Sequence, residues 1–246
     1  MPASSKAGEG EGDPRHNGAW LSDEDLLLSF EDNSSGVWSM VLEFSEDSRQ
    51  LYMDCGFFSY HSRFVEGYLQ NLQDVEGGKK KPDATAFPIV ISIPRMFSPG
   101  CVAVEDVRDA LASLYFPDRF PLRRDRLKEI AEVADYFDIP LLLKKCDQCL
   151  VSHLKRFMFR NNGAPMRFMW YGETEWNELL DAMLLADRFT LKSAWSRIKQ
   201  GLLHSLDDVG QLIDHKDFRK LSAHSQLDVL EGCVRKHMHY VQHNWK

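Results

Sequence analysis

The sequence predicts an α+β fold in which a small sheet capped by helices is followed by an all-helical region. Three observations carry this reading. Trp38, Met40, Leu42 and Phe44 in VWSMVLEFSE alternate with polar or smaller residues, the period of a half-buried strand. PIVISIP is a short apolar run between prolines, and reads as a buried strand. From residue 104 onward apolar residues recur at helical spacing. Strands early and helices late, without βα alternation, define an α+β order.

Along the chain, residues 1–19 are rich in Gly, Ser, Glu and Pro, and are expected to form a disordered acidic tail. Trp20–Phe30 fits a short amphipathic helix begun at Ser22, ahead of Asp23-Glu24-Asp25, about as well as a strand followed by an acidic turn. After the strand in VWSMVLEFSE, Ser45–Ser48 turns the chain into a second strand in RQLYMDC. GFFSYHSRFVEGYLQNL reads as helix broken once near Ser59–Ser62, and VEGGKKKPDATA as a loop. Val104, Val107, Leu111 and Leu114 share a helical face, as do Leu127, Ile130, Ala134 and Phe137. Asp138-Ile139-Pro140 is expected to stop one helix and start the next, with Asp as the cap and Pro in the first turn. Leu142, Cys146, Leu150 and His153 or Leu154 then form one face. Three further helices are marked by Trp176–Asp187, by Leu191, Trp195, Ile198, Leu202 and Leu206, and by Leu227, Leu230, Val234, Met238 and Val241. No internal repeat is visible.

Charge and composition narrow the function classes. The net charge of −7 is mostly local, because eight carboxylates face only Lys6 and Arg15 within residues 1–32. The remaining body is nearly neutral and offers no electrostatic footprint for a phosphate backbone, so direct nucleic-acid binding is not expected. Five cysteines are too few for a disulfide framework and point to a reducing compartment. The N-terminus has no apolar signal core, and no apolar run approaches membrane-helix length, so an intracellular protein without a membrane partner is expected.

Signatures of chemistry are sparse. Cys146-x-x-Cys149 with His153 has metal-like spacing, but a helix sets these residues beside Leu150, which favours small buried cysteines over a ligand set. Cys233 and His237, with His239 and His243, read as a solvated helix face. Lys79-Lys80-Lys81-Pro82 is a weak nuclear signal and more simply a solvated loop. No phosphate-cradling or nucleophile-elbow motif is present. No catalytic residue, metal or cofactor is expected, and an enzyme is not the expected class.

The residues also carry a resemblance. The strand pair VWSMVLEFSEDSRQLYMDC, the hairpin FFSYHSRFVEGYL with Ser62 and Phe64, the strand VISIP and the helix EDVRDALASLYFPDRFPL follow one another as in BTB (POZ) domains. The most specific stretch is Ala134, Asp135, Phe137, Ile139, Pro140, Leu142, Cys146 and Leu150, which resembles the family's A-D-x-[FL]-x-[IV]-P-x-L-x-x-x-C-x-x-x-L run. Leu184–Phe189 with Leu191-Lys192 is similar to the 3-box and BACK helices that follow many such domains. Departures are Ser39 where an Asp is usual, Asp54-Cys55 in place of a His-basic pair, and Tyr115-Phe116-Pro117 in place of Tyr-Thr-Gly.

The resemblance implies a BTB/POZ domain over 20–155, a linker over 156–172 and a BACK-like helical region over 173–246. It implies a homodimer with Trp38, Phe57, Phe58 and Tyr60 at the interface, although core packing competes for each aromatic. It further implies docking on a cullin scaffold. Leu72 and Asp74 stand where the family has a hydrophobic-x-Glu motif in the loop before the third strand. Tyr115, Phe116 and Asp118 are secondary contacts, and Tyr115 also fits a core role. Leu72 would fill an apolar cleft while the carboxylate caps a partner helix. The expected function is a dimeric, cytoplasmic or nuclear adaptor that recruits an unidentified target protein to a cullin-type ubiquitin ligase. The alternative is a scaffold that uses the domain only for homo- or heterodimerisation in a regulatory complex.

Overall fold

The alternating stretch becomes β1 (Met40–Phe44) in a computed structural model that describes residues 22–34, 38–45, 48–75, 88–93, 103–159, 167–168, 173–203 and 206–244. The expected disordered tail, the KKKP run and most of the VEGG loop lie outside these residues. Met40, Leu42 and Phe44 are buried as the alternation requires, and Val41 is buried too. The reason is position. β1 is the central strand, paired antiparallel to β2 (Gln50–Met53) and parallel to β3 (Ile89–Ile93), with Met40 opposite Met53 on one side and Ile89 on the other. PIVISIP does not form a fully buried strand. Among the described strands β3 is an edge, so Ile91 and Ile93 are buried and Ile89 packs half-buried against the core, while Val90 is 48% exposed.

Of the two readings of Trp20–Phe30 the helix is realised, as α1 (Asp23–Leu28). Ser22 caps it, accepting from the Asp25 N–H at 3.1 Å, while the Asp25 carboxylate returns to the Ser22 N–H at 3.1 Å. Leu26 and Phe30 are buried, and the Tyr52 N–H donates to the Phe30 carbonyl at 2.7 Å.

The aromatic-rich segment folds as α2 (Cys55–His61) and α3 (Arg63–Val75), broken at Ser62. Ser62 is completely buried. Its hydroxyl accepts from the Val65 N–H at 3.1 Å and donates to the Phe137 carbonyl at 2.6 Å. The next amide, Arg63 N–H, donates to the Asp138 carbonyl at 3.1 Å. The break therefore stitches this hairpin to a turn 75 residues further on. Leu72-Gln73-Asp74 does not lie in a loop: it forms part of the C-terminal end of α3.

α4 (Val104–Tyr115), α5 (Leu127–Tyr136) and α6 (Pro140–Leu154) bury the faces read from periodicity. Asp138 does not cap α6. It sits at φ 45°, ending α5 in the left-handed region, and Ile139 precedes Pro140 as the α6 cap without a side-chain bond. Between 156 and 172, β4 (Met158–Phe159) and β5 (Arg167–Phe168) make a minimal antiparallel ladder. The helical region contains α7 (Glu173–Arg188), α8 (Lys192–Leu203), α9 (Leu206–Asp214) and α10 (Ala223–Asn244). Leu206, expected to extend the Leu191–Leu202 face, instead begins α9.

An internal repeat exists after all. The α5–α6 and α7–α8 junctions read Ala134-Asp-x-Phe137-x-Ile139 and Ala186-Asp-x-Phe189-x-Leu191. In each, the residue after Phe is left-handed, Asp138 at 45° and Thr190 at 53°. In each, the following amide reaches back five residues, Ile139 N–H to Ala134 O at 2.7 Å and Leu191 N–H to Ala186 O at 2.8 Å. Burial repeats at the same offset, as in the pairs Leu127 and Leu179, Ile130 and Ala182, Leu142 and Ala194, Cys146 and Ile198. Side chains rather than backbone differ, which is why the sequence conceals it. α6 packs on α8 and α8 on α10, so the helices stack in succession, and one apolar core runs from Phe30 to Val229. Among the described residues no helix is long and apolar enough to cross a membrane.

Candidate functional site

Most of the expected interface aromatics fall into one row of rings. Phe30, after α1, stacks on Trp38, before β1, with centroids 5.8 Å apart. Both meet Tyr115 at the end of α4 edge-on, at 5.5 and 6.2 Å, and Phe116 lies 6.2 Å from Phe30. Tyr115 contacts Phe57 at 4.1 Å, Phe57 contacts His61 at 4.6 Å, and His61 contacts Tyr60 at 5.0 Å. The row climbs from the core to solvent: Phe30 is fully buried and Tyr60 is 85% exposed. Three residues expected at a dimer interface (Trp38, Phe57 and Tyr60) and two expected at a cullin contact (Tyr115 and Phe116) are thus one contiguous group.

The positions that depart from the BTB pattern hold this row in place. The Cys55 N–H donates to the Ser39 hydroxyl at 2.8 Å, and Asp54 caps α2 by accepting from the Phe57 N–H at 2.6 Å. The Tyr115 hydroxyl donates to the Asp54 carbonyl at 3.3 Å, and the Trp38 indole N–H donates to the Ser29 carbonyl at 2.9 Å. Burial pushes the Tyr115 phenol well above its ordinary value, so it stays a donor. Burial, with the nearby Lys145 charge, lowers His61, which leaves a neutral ring in the row at pH 7. Ser39 and Asp54 stand out in the sequence only as departures from the family pattern, and Phe30 and His61 carry no interface signal there, because caps and ring contacts across separate elements leave no periodic trace.

The other expected residues divide. Phe58 is completely buried with its ring edge-on to Phe137 at 5.6 Å, so it anchors α2 in the core and presents no surface. Leu72 is 43% exposed on α3, and Asp118 is exposed in the turn after α4. The Asp74 side chain lies outside the described residues.

The chemistry available is that of packing. Cys146 is buried and its thiol is pushed up to about 12 by burial first, then by Cys149 and Asp147, so it stays protonated and poorly suited to bind metal. Cys149 Sγ contacts the Leu122 carbonyl at 3.6 Å. His153 is buried beside Arg124, whose Nη1 lies 3.0 Å from Nδ1. Guanidinium only donates, so Nδ1 accepts and the ring proton sits on Nε2, which faces Glu178 Oε2 at 3.6 Å. A cleft of about 820 Å³ between α5 and α7 is lined by charges of both signs, including Arg124, Lys128, Asp181 and Arg188, and favours neither an anion nor a cation. Among the described residues no group of three or more His, Cys, Asp or Glu is placed to hold a metal ion.

No protein-family model matches the sequence, and comparison with curated proteins finds no match. Among solved structures the chain is similar to the BTB domain of zebrafish PATZ1, at 10% identity and a TM-score of 0.33, over 54% of this chain and 90% of that one.

Proposed function

We propose that this chain is a BTB-type protein-interaction module, acting as a dimeric adaptor that recruits a target protein to a cullin-type ubiquitin ligase. The observation that carries an interaction role is the aromatic row. It is fixed by caps and hydrogen bonds at its buried end and ends on a Tyr60 ring that is almost entirely in solvent. A rigid aromatic platform with an exposed end is the kind of anchor on which protein interfaces concentrate their energy. The order β2-β1-β3, the hairpin broken at Ser62 and the Ala134–Leu150 run support the BTB reading. Exposed Leu72 and Asp118 support a cullin contact on the same unit. The role is non-enzymatic and intracellular.

A scaffold that dimerises without engaging the ligase is the second reading. It is favoured by the use of Tyr115 and Phe116 inside the chain, which leaves fewer groups free for the cullin. Size-exclusion chromatography with light scattering, on the full chain mixed with the cullin N-terminal domain, separates the two. A dimer that co-elutes with the cullin at tens of micromolar, and ceases to when Leu72 and Asp74 are both replaced by Ala, supports the adaptor. A dimer that never co-elutes leaves the scaffold, and a monomer at every concentration overturns both. Tyr60→Ala is expected to weaken self-association at least tenfold with an unchanged circular dichroism spectrum, since an 85% exposed ring contributes little to the fold.

A further inference from the structure

We propose that the cleft between α5 and α7 binds a small zwitterion with an apolar body, of the size of a di- or tripeptide. At about 820 Å³ the cleft has the dimensions of a small-molecule site, and it combines apolar side chains with a few charged groups, as such sites do. Leu127 of α5, Leu150 of α6, Leu184 and Leu185 of α7, and Phe189 supply the apolar surface. None of these residues belongs to the aromatic row, so the cleft is a second site.

Most of its charges are already matched within the chain. Arg124 pairs with Glu178 at 2.9 Å, Arg188 with Glu132 at 2.9 Å and Lys220 with Asp217 at 2.6 Å. Asp125 pairs with Arg123 at 2.7 Å, and Asp187 accepts from the Ser222 and Ser225 hydroxyls. The charged groups left over are Lys128 and Glu129 on α5 and Asp181 on α7. None of these has an ion pair or a side-chain hydrogen bond among the described residues. Lys128 and Glu129 do not satisfy each other, because successive residues of a helix point about 100° apart.

These unmatched groups decide the chemistry of the ligand. Lys128 and Asp181 are exposed, one on each wall, and Glu129 is half-buried. Glu129 Oε2 is sealed from solvent and accepts no hydrogen bond, so water does not offset the desolvation of this carboxylate. A cation brought to its cleft side gains accordingly. A ligand with a positive charge alone would leave Lys128 opposing it, and one with a negative charge alone would meet two unmatched carboxylates. A zwitterion answers all of them. Its ammonium faces Glu129 and Asp181, its carboxylate faces Lys128, and its body lies along the leucines and Phe189.

The probe is the tripeptide Leu-Ala-Leu with both ends free, titrated calorimetrically into the full chain beside its N-acetylated and C-amidated forms. Acetylation removes the charge that meets half-buried Glu129 and should weaken binding about tenfold, whereas amidation removes the one that meets exposed Lys128 and should weaken it about fivefold. Lys128→Ala should weaken the free tripeptide as amidation does, and make amidation of no further consequence. Glu129→Gln with Asp181→Asn should do the same for acetylation. The circular dichroism of these variants should match the parent, since the replaced side chains make no hydrogen bond or ion pair among the described residues. Absence of binding by the free tripeptide at millimolar concentration overturns the proposal. So does equal affinity of the three peptide forms, or a loss on capping that the variants leave unchanged, which would place the peptide elsewhere. Loss on acetylation alone would assign the cleft to a cation, such as the amino terminus of a protein chain, and loss on amidation alone to an anion. Either result overturns the zwitterion.

Discussion

Single side chains in this protein join segments far apart in sequence, and two of them show how burial changes what a residue does. The Ser62 hydroxyl serves both the first turn of α3 and the Phe137 carbonyl, so its removal would strand a buried donor and a buried acceptor together. His153 titrates abnormally because burial, then the Arg124 and Arg156 charges, hold it down to about 4, against an ordinary value near 6.5. The folded chain keeps this ring neutral over a range in which the unfolded chain protonates it. Stability from this group is therefore intact above about pH 6.5 and declines as the pH falls toward 4, by at most about 1.4 kcal/mol per pH unit. Melting temperatures taken between pH 7 and pH 4.5 should fall less steeply in His153→Gln than in the parent chain. Equal slopes would show that His153 is not held neutral.

At the scale of elements the recurring device is the Ala-Asp-x-Phe-x-[Ile/Leu] hairpin. Its left-handed residue is Asp138 in one copy, which tolerates that conformation and lies 3.9 Å from Arg63. In the other it is Thr190, a β-branched residue poorly suited to a φ of 53°. Thr190→Gly should raise the denaturation midpoint by an amount equivalent to roughly 0.5–1 kcal/mol, the relieved strain exceeding the entropy that glycine adds to the unfolded chain. Asp138→Gly should gain less. These hairpins also show how far the sequence is legible. The faces of α4, α5 and α6 and the break near Ser62 could be read, because periodicity reports which side chains share a side. It does not report whether anything covers that side. Leu142 and Leu227 mark equally clear stripes, yet one is completely buried and the other is 63% exposed. The repeat was hidden because Cys146 and Ile198 occupy equivalent sites by volume and burial, not by chemical type. The candidate interface was half legible for a related reason. Trp38, Phe57 and Tyr115 stand out by type, but Phe30 joins them only through a backbone path that local spacing does not encode.

For the molecule as a whole, the continuity of the core outweighs the apparent division into a mixed unit and a helical one. Asp147 caps α8 from α6, and one buried cluster holds residues of both parts, Leu150 and Leu154 of α6 together with Trp176, Leu180 and Ile198 of α7 and α8. Ile198 is completely buried on α8, and Ile198→Ala should cost about 2–4 kcal/mol. If the chain is one cooperative body, that loss lowers hydrogen-exchange protection in α4 and α5 as much as in α8. Loss confined to α7–α10 would mean that the helical part unfolds separately. The parallel β1–β3 ladder has a further consequence, for the time course of folding. The hairpins need only neighbouring residues to meet, whereas Met40 must find Ile89 across two helices and a connecting segment before that ladder gains its first bond. Closing so wide a loop is slow compared with winding a helix. The helices thus have time to assemble around an unfinished sheet, and until β3 docks, Ile91 and Ile93, which the finished fold buries, leave a newly made chain prone to aggregation.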